Sequence, residues 1–209
     1  MRKSLSSLAL ALLTVALAAG VAGAVPGPNS IGVYCDVNAS SNWCTGVPSG
    51  AMLNWYLIAT GVTESSGLSG WEAHVYFDPM PMAGVSYTYG GTGAVNPLTA
   101  PDFQVGLGGG PIAQAPAMVV LTMGTFYLGG ELLIGVGPIT TAPTSFPDTN
   151  TPGYAAGNAP EVLIPLWPSS DQQPIEGVDH AYWVCGINTP SPINDVTDTS
   201  WGSVKALYQ

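Results

Sequence analysis

The sequence predicts an all-β protein, an antiparallel β-sandwich of about nine strands. Two observations carry that expectation. Short runs rich in Val, Ile, Tyr, Trp and Thr recur along the chain, each bounded by Gly, Pro, Asn or Asp. No long segment carries an apolar stripe at helical spacing, so strands follow strands with no crossover helices, the pattern of a sandwich or barrel. The 27 glycines and 19 prolines are scattered as punctuation without a Gly-X-Y period, which excludes collagen, and the Trp, Tyr, Val and Leu between them argue against wholesale disorder.

Taken in order, the strand-like runs are residues 31–37, 52–62, 70–78, 85–89, 103–107, 118–128, 131–136, 161–167 and 181–187. The clearest alternation is Trp71-Glu72-Ala73-His74-Val75-Tyr76-Phe77-Asp78. With a period of two, Trp71, Ala73, Val75 and Phe77 face a core, and Glu72, His74, Tyr76 and Asp78 face water. Pro79 ends that run because proline cannot donate to a ladder. Residues 118–123 read differently, as a continuous apolar run typical of a central strand. Gly108-Gly109-Gly110-Pro111 and the proline-rich stretch 140–160 read as loops, the second as a long surface excursion.

The first 24 residues read as an export signal. Arg2 and Lys3 precede an apolar run from Leu8 to Ala19, and Ala22-Gly23-Ala24 supplies small residues for cleavage. The run is shorter than the roughly 20 residues a membrane span needs. The expected organisation is a signal peptide over 1–24, a β-sandwich domain over 25–190, and a tail or short helix over 191–209, with a secreted, extracellular location. With the signal gone, Lys205 is the only Lys or Arg against all thirteen carboxylates. Binding a phosphate backbone needs several Lys or Arg, so nucleic acid is excluded as a partner, as are anionic membrane surfaces. An extracellular protein, a neutral glycan, a divalent cation or a second copy fits the charge.

Cys35, Cys44 and Cys185 all lie in the exported part, where an oxidising compartment favours one disulfide. Cys35 with Cys44 is the simplest pair, and Cys44 with Cys185 is the rival. Cys185 sits in the apolar run 181–187 and is expected to be a buried thiol if left over.

Several patches resemble known proteins. Ile31-Gly32-Val33-Tyr34, Gly67-Leu68-Ser69-Gly70-Trp71-Glu72 and Val75-Tyr76-Phe77-Asp78-Pro79 resemble secreted bacterial β-sandwich proteins of the cohesin-like, immunoglobulin-like kind. The ending Ser200-Trp201-Gly202-Ser203-Val204-Lys205-Ala206-Leu207-Tyr208 resembles a terminal Trp-Gly-x-aliphatic-Lys-x-Leu-Tyr pattern of exported bacterial proteins without an assigned function. Tyr154-Ala155-Ala156-Gly157 and Leu166-Trp167-Pro168-Ser169-Ser170 are similar to the same group. The resemblance implies fold and export. It carries over no partner, since no dockerin-contacting residue can be matched.

Catalytic chemistry has few carriers here. His74 and His180 are the only histidines, and the chain holds no Gly-x-Ser-x-Gly elbow, His-Glu-x-x-His helix, Cys-x-x-Cys pair, P-loop or dinucleotide fingerprint. Glu72 and Asp78 share a strand face, but six residues of strand separate them by about 20 Å, too far for glycoside hydrolysis. The face Glu72, His74, Tyr76, Asp78 is a candidate ligand platform, weighed against the plain wet face of a sheet. Asp171, Glu176 and Asp179 in one loop, and Asn194, Asp195 and Asp198 in another, are oxygen-rich enough to suit calcium, weighed against solvated turns. A copper or zinc site at His180 and Cys185 would need more ligands, and only His74 is on offer as another imidazole. Trp201, Val204, Leu207 and Tyr208 would share one face of a short terminal helix beside Lys205, an interaction tail or a cap on the sandwich. The expected function is a non-enzymatic, cofactor-free binding or structural module. The alternative is a glycan hydrolase built on loop carboxylates such as Asp148, Asp171 or Asp179, and self-assembly into a surface layer is a third reading.

Overall fold

A computed structural model describes residues 27–168 and 173–189. Among them are thirteen strands and no helix: β1 (Ser30–Tyr34), β2 (Trp43–Cys44), β3 (Ala51–Thr60), β4 (Leu68–Asp78), β5 (Ser86–Tyr89), β6 (Ala94–Val95), β7 (Asp102–Leu107), β8 (Ala117–Tyr127), β9 (Leu132–Gly137), β10 (Gly153–Ala156), β11 (Leu163–Pro165), β12 (Trp167–Pro168) and β13 (Tyr182–Ile187). They form a five-stranded sheet in the order β12-β1-β3-β8-β5 and an eight-stranded sheet in the order β11-β10-β4-β9-β13-β2, with β7 on β4 and β6 on β7. The architecture is consistent with the expected β-sandwich. Among the described residues no helix is long and apolar enough to cross a membrane.

All nine expected runs are strands, with 161–167 split into β11 and β12. The additions are β2, β6 and β10. Two pairings depart from the antiparallel expectation, β1 with β12 and β2 with β13, and both are two-residue contacts at sheet edges. Such short parallel additions come from chain segments that pass alongside an edge, a placement alternation cannot encode.

The core lies between the sheets. Trp55 and Phe77 meet across it at 6.5 Å, and Phe103 takes Tyr87 at 5.2 Å and Tyr89 at 6.3 Å. Ile31, Leu57, Leu121, Met123, Ile134 and Val136 are fully buried around them. Each such side chain contributes about 2 kcal/mol of transfer free energy, and β3 and β8 carry the longest ladder, Ala51 opposite Tyr127 through Thr60 opposite Ala117. Trp71, Ala73 and Val75 are buried on this inner face, as the alternation predicts.

The outer face of β4 is not wet. Glu72 is 2 % exposed, and His74 and Tyr76 are half-buried, while Asp78 is exposed at the strand end. The register explains this correction. Glu72 is paired with Gly153 of β10 and Gln104 of β7, and His74 with Gly137 of β9 and Asp102 of β7. Because β7 runs along one edge of β4, β9 and β10 must follow each other along the opposite edge. Residues 138–152 therefore leave the sheet beside His74 and re-enter it beside Glu72, and their contacts with outward-facing side chains place them over the outer face. The stretch expected to be a surface excursion is thus partly structural, with Phe146 buried and Tyr154 of β10 fully so. Proline density signalled an irregular backbone correctly, but it gave no hint that buried carboxylates would hold that backbone down.

Candidate functional site

The outward side chains of β4 stand opposite glycines along the β9–β10 edge. Glu72 faces Gly153, His74 faces Gly137, and Tyr76 faces Gly135. The missing side chains leave room for a third layer. A Cβ at Gly153 would lie 2.1 Å from Phe146 Cζ, one at Gly137 2.5 Å from Ala181 Cβ, and one at Gly135 2.6 Å from Ile175 Cδ1. Glycine in a strand here marks close approach, as it commonly does.

Two carboxylates anchor that layer. Asp102, 1 % exposed, takes His74 Nδ1 on Oδ1 at 2.6 Å and the Thr140 backbone N–H on the same oxygen at 2.9 Å. Its Oδ2 accepts from Thr140 Oγ1 at 3.0 Å and from the Thr141 N–H at 2.9 Å. Burial pushes its acidity toward the neutral form, but the hydrogen bonds from Thr141, His74 and Thr140 and the histidine's charge outweigh that and hold it down at about 2. Ionised Asp102 can only accept, so His74 donates through Nδ1. Burial raises the neighbouring Tyr76 phenol, and the Asp102 charge raises it further. The His74 and Tyr76 rings pack against each other, tilted, with centroids 4.2 Å apart.

Glu72 performs the same task one rung along. Thr144 Oγ1 donates to Oε1, the Ser145 N–H reaches Oε1 at 3.0 Å and Oε2 at 3.1 Å, and Gln104 Nε2 donates to Oε2 at 3.2 Å. Gln104 Nε2 also reaches Ser145 Oγ at 3.2 Å. Phe146 then turns back over Gly153, its own N–H donating to Thr144 Oγ1 at 3.0 Å.

Beside this anchor lies an open groove of about 260 Å³. Its floor is backbone: Gly70 is paired with Gly106 on one side and Ala155 on the other. Phe146, Pro160 and Leu163 form walls, and Glu72, Gln104 and Ser145 form the polar end. A Cβ at Gly106 would meet nothing within 4 Å.

An Asp–His pair activates a hydroxyl held at Nε2, whereas Thr140 Oγ1 lies 3.5 Å from Nδ1 and donates to Asp102. Both carboxylates are spent on the covering segment.

The structure brings Glu72, His74 and Tyr76 together on one face and adds four residues that sequence reasoning missed, Asp102, Gln104, Thr144 and Ser145. Only a register pairing β7 with β4 would have found the first two. Glu176 and Asp179 are exposed, Asp148 is exposed on the covering segment, and Asp171 lies outside the described residues. Among the described residues no group of three or more His, Cys, Asp or Glu is placed to hold a metal. His180 packs its ring edge-on to Trp167 at 5.8 Å. Asn194, Asp195, Asp198, Trp201, Val204, Lys205, Leu207 and Tyr208 also lie outside the described residues, as do the signal segment and the expected terminal helix.

The disulfide is Cys35–Cys44, with Cα atoms 6.4 Å apart. It joins the end of β1, in the smaller sheet, to edge strand β2 of the larger one. Cys185 is a buried free thiol that burial holds protonated. No protein-family model, curated protein or solved structure matches this chain.

Proposed function

We infer that the protein is an exported, non-enzymatic β-sandwich module that works outside the cell by binding, through the groove over Gly70 and Gly106. One observation carries this reading: the buried carboxylates pin residues 138–152 so that Phe146 becomes a fixed wall beside a floor of bare backbone. Ligand sites are concave, largely apolar and supplied with a few placed polar groups. Gln104 and Ser145 fill that last role. At about 260 Å³ the groove suits one uncharged unit of a longer polymer, a sugar ring or an apolar peptide side chain. The thirteen carboxylates and few basic residues of the chain disfavour an anionic ligand. Export by the signal peptide and kinship with cohesin-like sandwiches belong to the same proposal.

Gly106→Phe places a bulky side chain at a groove position where a Cβ meets no protein atom within 4 Å. Retention on panels of insoluble glycans and extracellular-matrix proteins is expected for the wild type and lost in the variant at unchanged Tm. Equal retention of both would remove the groove as the site, and turnover of any glycan or ester substrate by the wild type would favour the hydrolase reading.

A second reading rests on a different surface. Met52 and Phe126 form an outward cross-strand pair, 70 % and 45 % exposed, and Met80, Met82 and Leu128 are also exposed. Exposed methionines and aromatics favour adaptable association, which fits a structural surface component. Concentration-dependent elution in size-exclusion chromatography, abolished by Phe126→Ser, is its expected sign. A monomer at every concentration would dismiss it.

A further inference from the structure

We propose that Asn38 is an N-glycosylation site, its side-chain nitrogen carrying an oligosaccharide added in the course of export. Asn38-Ala39-Ser40 is the acceptor pattern Asn-x-Ser without an intervening proline, and none of the other eight asparagines has Ser or Thr two places on. The fold presents this tripeptide to solvent. Residues 36–41 make a turn between β1 and β2, inside the loop closed by Cys35–Cys44, and Asn38 and Ser40 are both exposed. The Asp36 carboxylate organises the turn, accepting at 2.9 Å each from the Asn38 N–H, the Ser41 N–H and Ser40 Oγ. Those bonds use the backbone of Asn38 and leave its carboxamide without a hydrogen bond among the described residues. The carboxamides of Asn29, Asn42, Asn96 and Asn188, by contrast, are tied into the fold. A group attached at Asn38 Nδ2 therefore displaces no hydrogen bond of the sandwich.

The step is a group transfer from an oligosaccharide joined through its anomeric carbon to a lipid diphosphate, carried out by a separate transferase. Asn38 Nδ2 bonds to the anomeric carbon as the bond from that carbon to the diphosphate oxygen breaks. The diphosphate leaves with the electron pair, and the amide proton passes to a base of the transferase. No atom is oxidised or reduced. Among the described residues the hydrogen bonds of residues 36–41 run among themselves, to Cys35 and to Trp43, so this turn can open into an acceptor while the sandwich stays closed. The sugar stands five residues before β2, the last strand on that side of the larger sheet, where a bulky solvated group hinders edge-to-edge pairing. The inference rests on the proposed export and is independent of what the groove binds.

Intact-mass measurement of the chain purified from its native host tests it. After allowance for the disulfide, the exported wild type is expected to be heavier than its sequence by about 150–230 Da for each sugar residue. Chymotryptic digestion and fragmentation should place the added mass on Asn38. Asn38→Gln loses no hydrogen bond and Ser40→Ala loses one exposed bond to Asp36, so both should fold and both should return to the sequence mass, whereas Ser40→Thr should keep the sugar. An exported wild-type chain at its sequence mass overturns the proposal and leaves export standing. A chain retained in the cytoplasm with residues 1–24 intact overturns both. Added mass that persists in Ser40→Ala, or that maps to another residue, also overturns the assignment.

Discussion

His74 and Asp102 face each other across the β4–β7 ladder, and the 2.6 Å contact from His74 Nδ1 to Asp102 Oδ1 closes a set of hydrogen bonds that fastens residues 140 and 141 to the sheet. Asp102 thereby acts as a staple between the second and third layers. With its opposite neighbour His74, it marks where the chain departs from β9.

Acid should loosen this staple. The Asp102 carboxyl falls from an ordinary 3.8 to about 2 in the folded protein. A depressed folded value means the stabilisation is complete above the unfolded value and disappears as pH drops from near 4 toward 2. Its size is about 2 kcal/mol. Urea denaturation of wild type and Asp102→Asn between pH 6 and 2.5 should give a steeper acid loss for the wild type. Parallel curves would refute the assignment.

Removing the second anchor should free the covering segment before it unfolds the sandwich. Glu72→Ala leaves the Thr144 hydroxyl, the Ser145 N–H and one Gln104 hydrogen without their acceptor, a cost of about 2 kcal/mol. Limited proteolysis is expected to cut within 138–152 in the variant and spare the wild type. Identical digestion patterns would show that Asp102 and Phe146 hold the segment without Glu72.

The glycines opposite β4 are predicted to differ sharply from the glycine in the groove. Gly153→Ala drives a methyl into the Phe146 ring, whose nearest atom would be 2.1 Å away, and should cost about 1–3 kcal/mol through overpacking. Gly106→Ala enters open space and should leave Tm within a degree or two of wild type. Equal Tm losses in the two variants would contradict the layered arrangement.

Cys35–Cys44 closes a loop of sequence separation 9, for which chain entropy predicts roughly 3 kcal/mol of stabilisation. The Cys35→Ser, Cys44→Ser double variant should lose about that much in chemical denaturation. Cys185 is wholly buried, so it should resist alkylation in native protein and react only in denaturant. Rapid native labelling at Cys185 would place the thiol elsewhere.

Much of the sandwich is legible in the sequence because alternation and turn residues are local signals. Trp71, Ala73 and Val75 declare an inner face, and Pro79 declares its end. The near pair Cys35 and Cys44 was readable for a similar reason, being close in the chain. Asp102 was not readable: it sits after a proline at the start of a short strand, and only its pairing with His74 gives it meaning. From the sequence Glu72 reads as solvated, because a period of two tells which residues share a face, never what covers that face.

The chain alone therefore determined the class of fold, the placement of nine strand segments and the poverty of basic charge, all properties of neighbouring residues or of composition. The tertiary structure decided that β9 and β10 share one edge of β4, that residues 138–152 form a third layer, and that two carboxylates hold it there. Those features depend on strand register and on contacts between residues dozens of positions apart, such as Asp102 with Thr140 and Glu72 with Thr144. No local pattern reports them, because the free energy that selects them appears only when the segments meet.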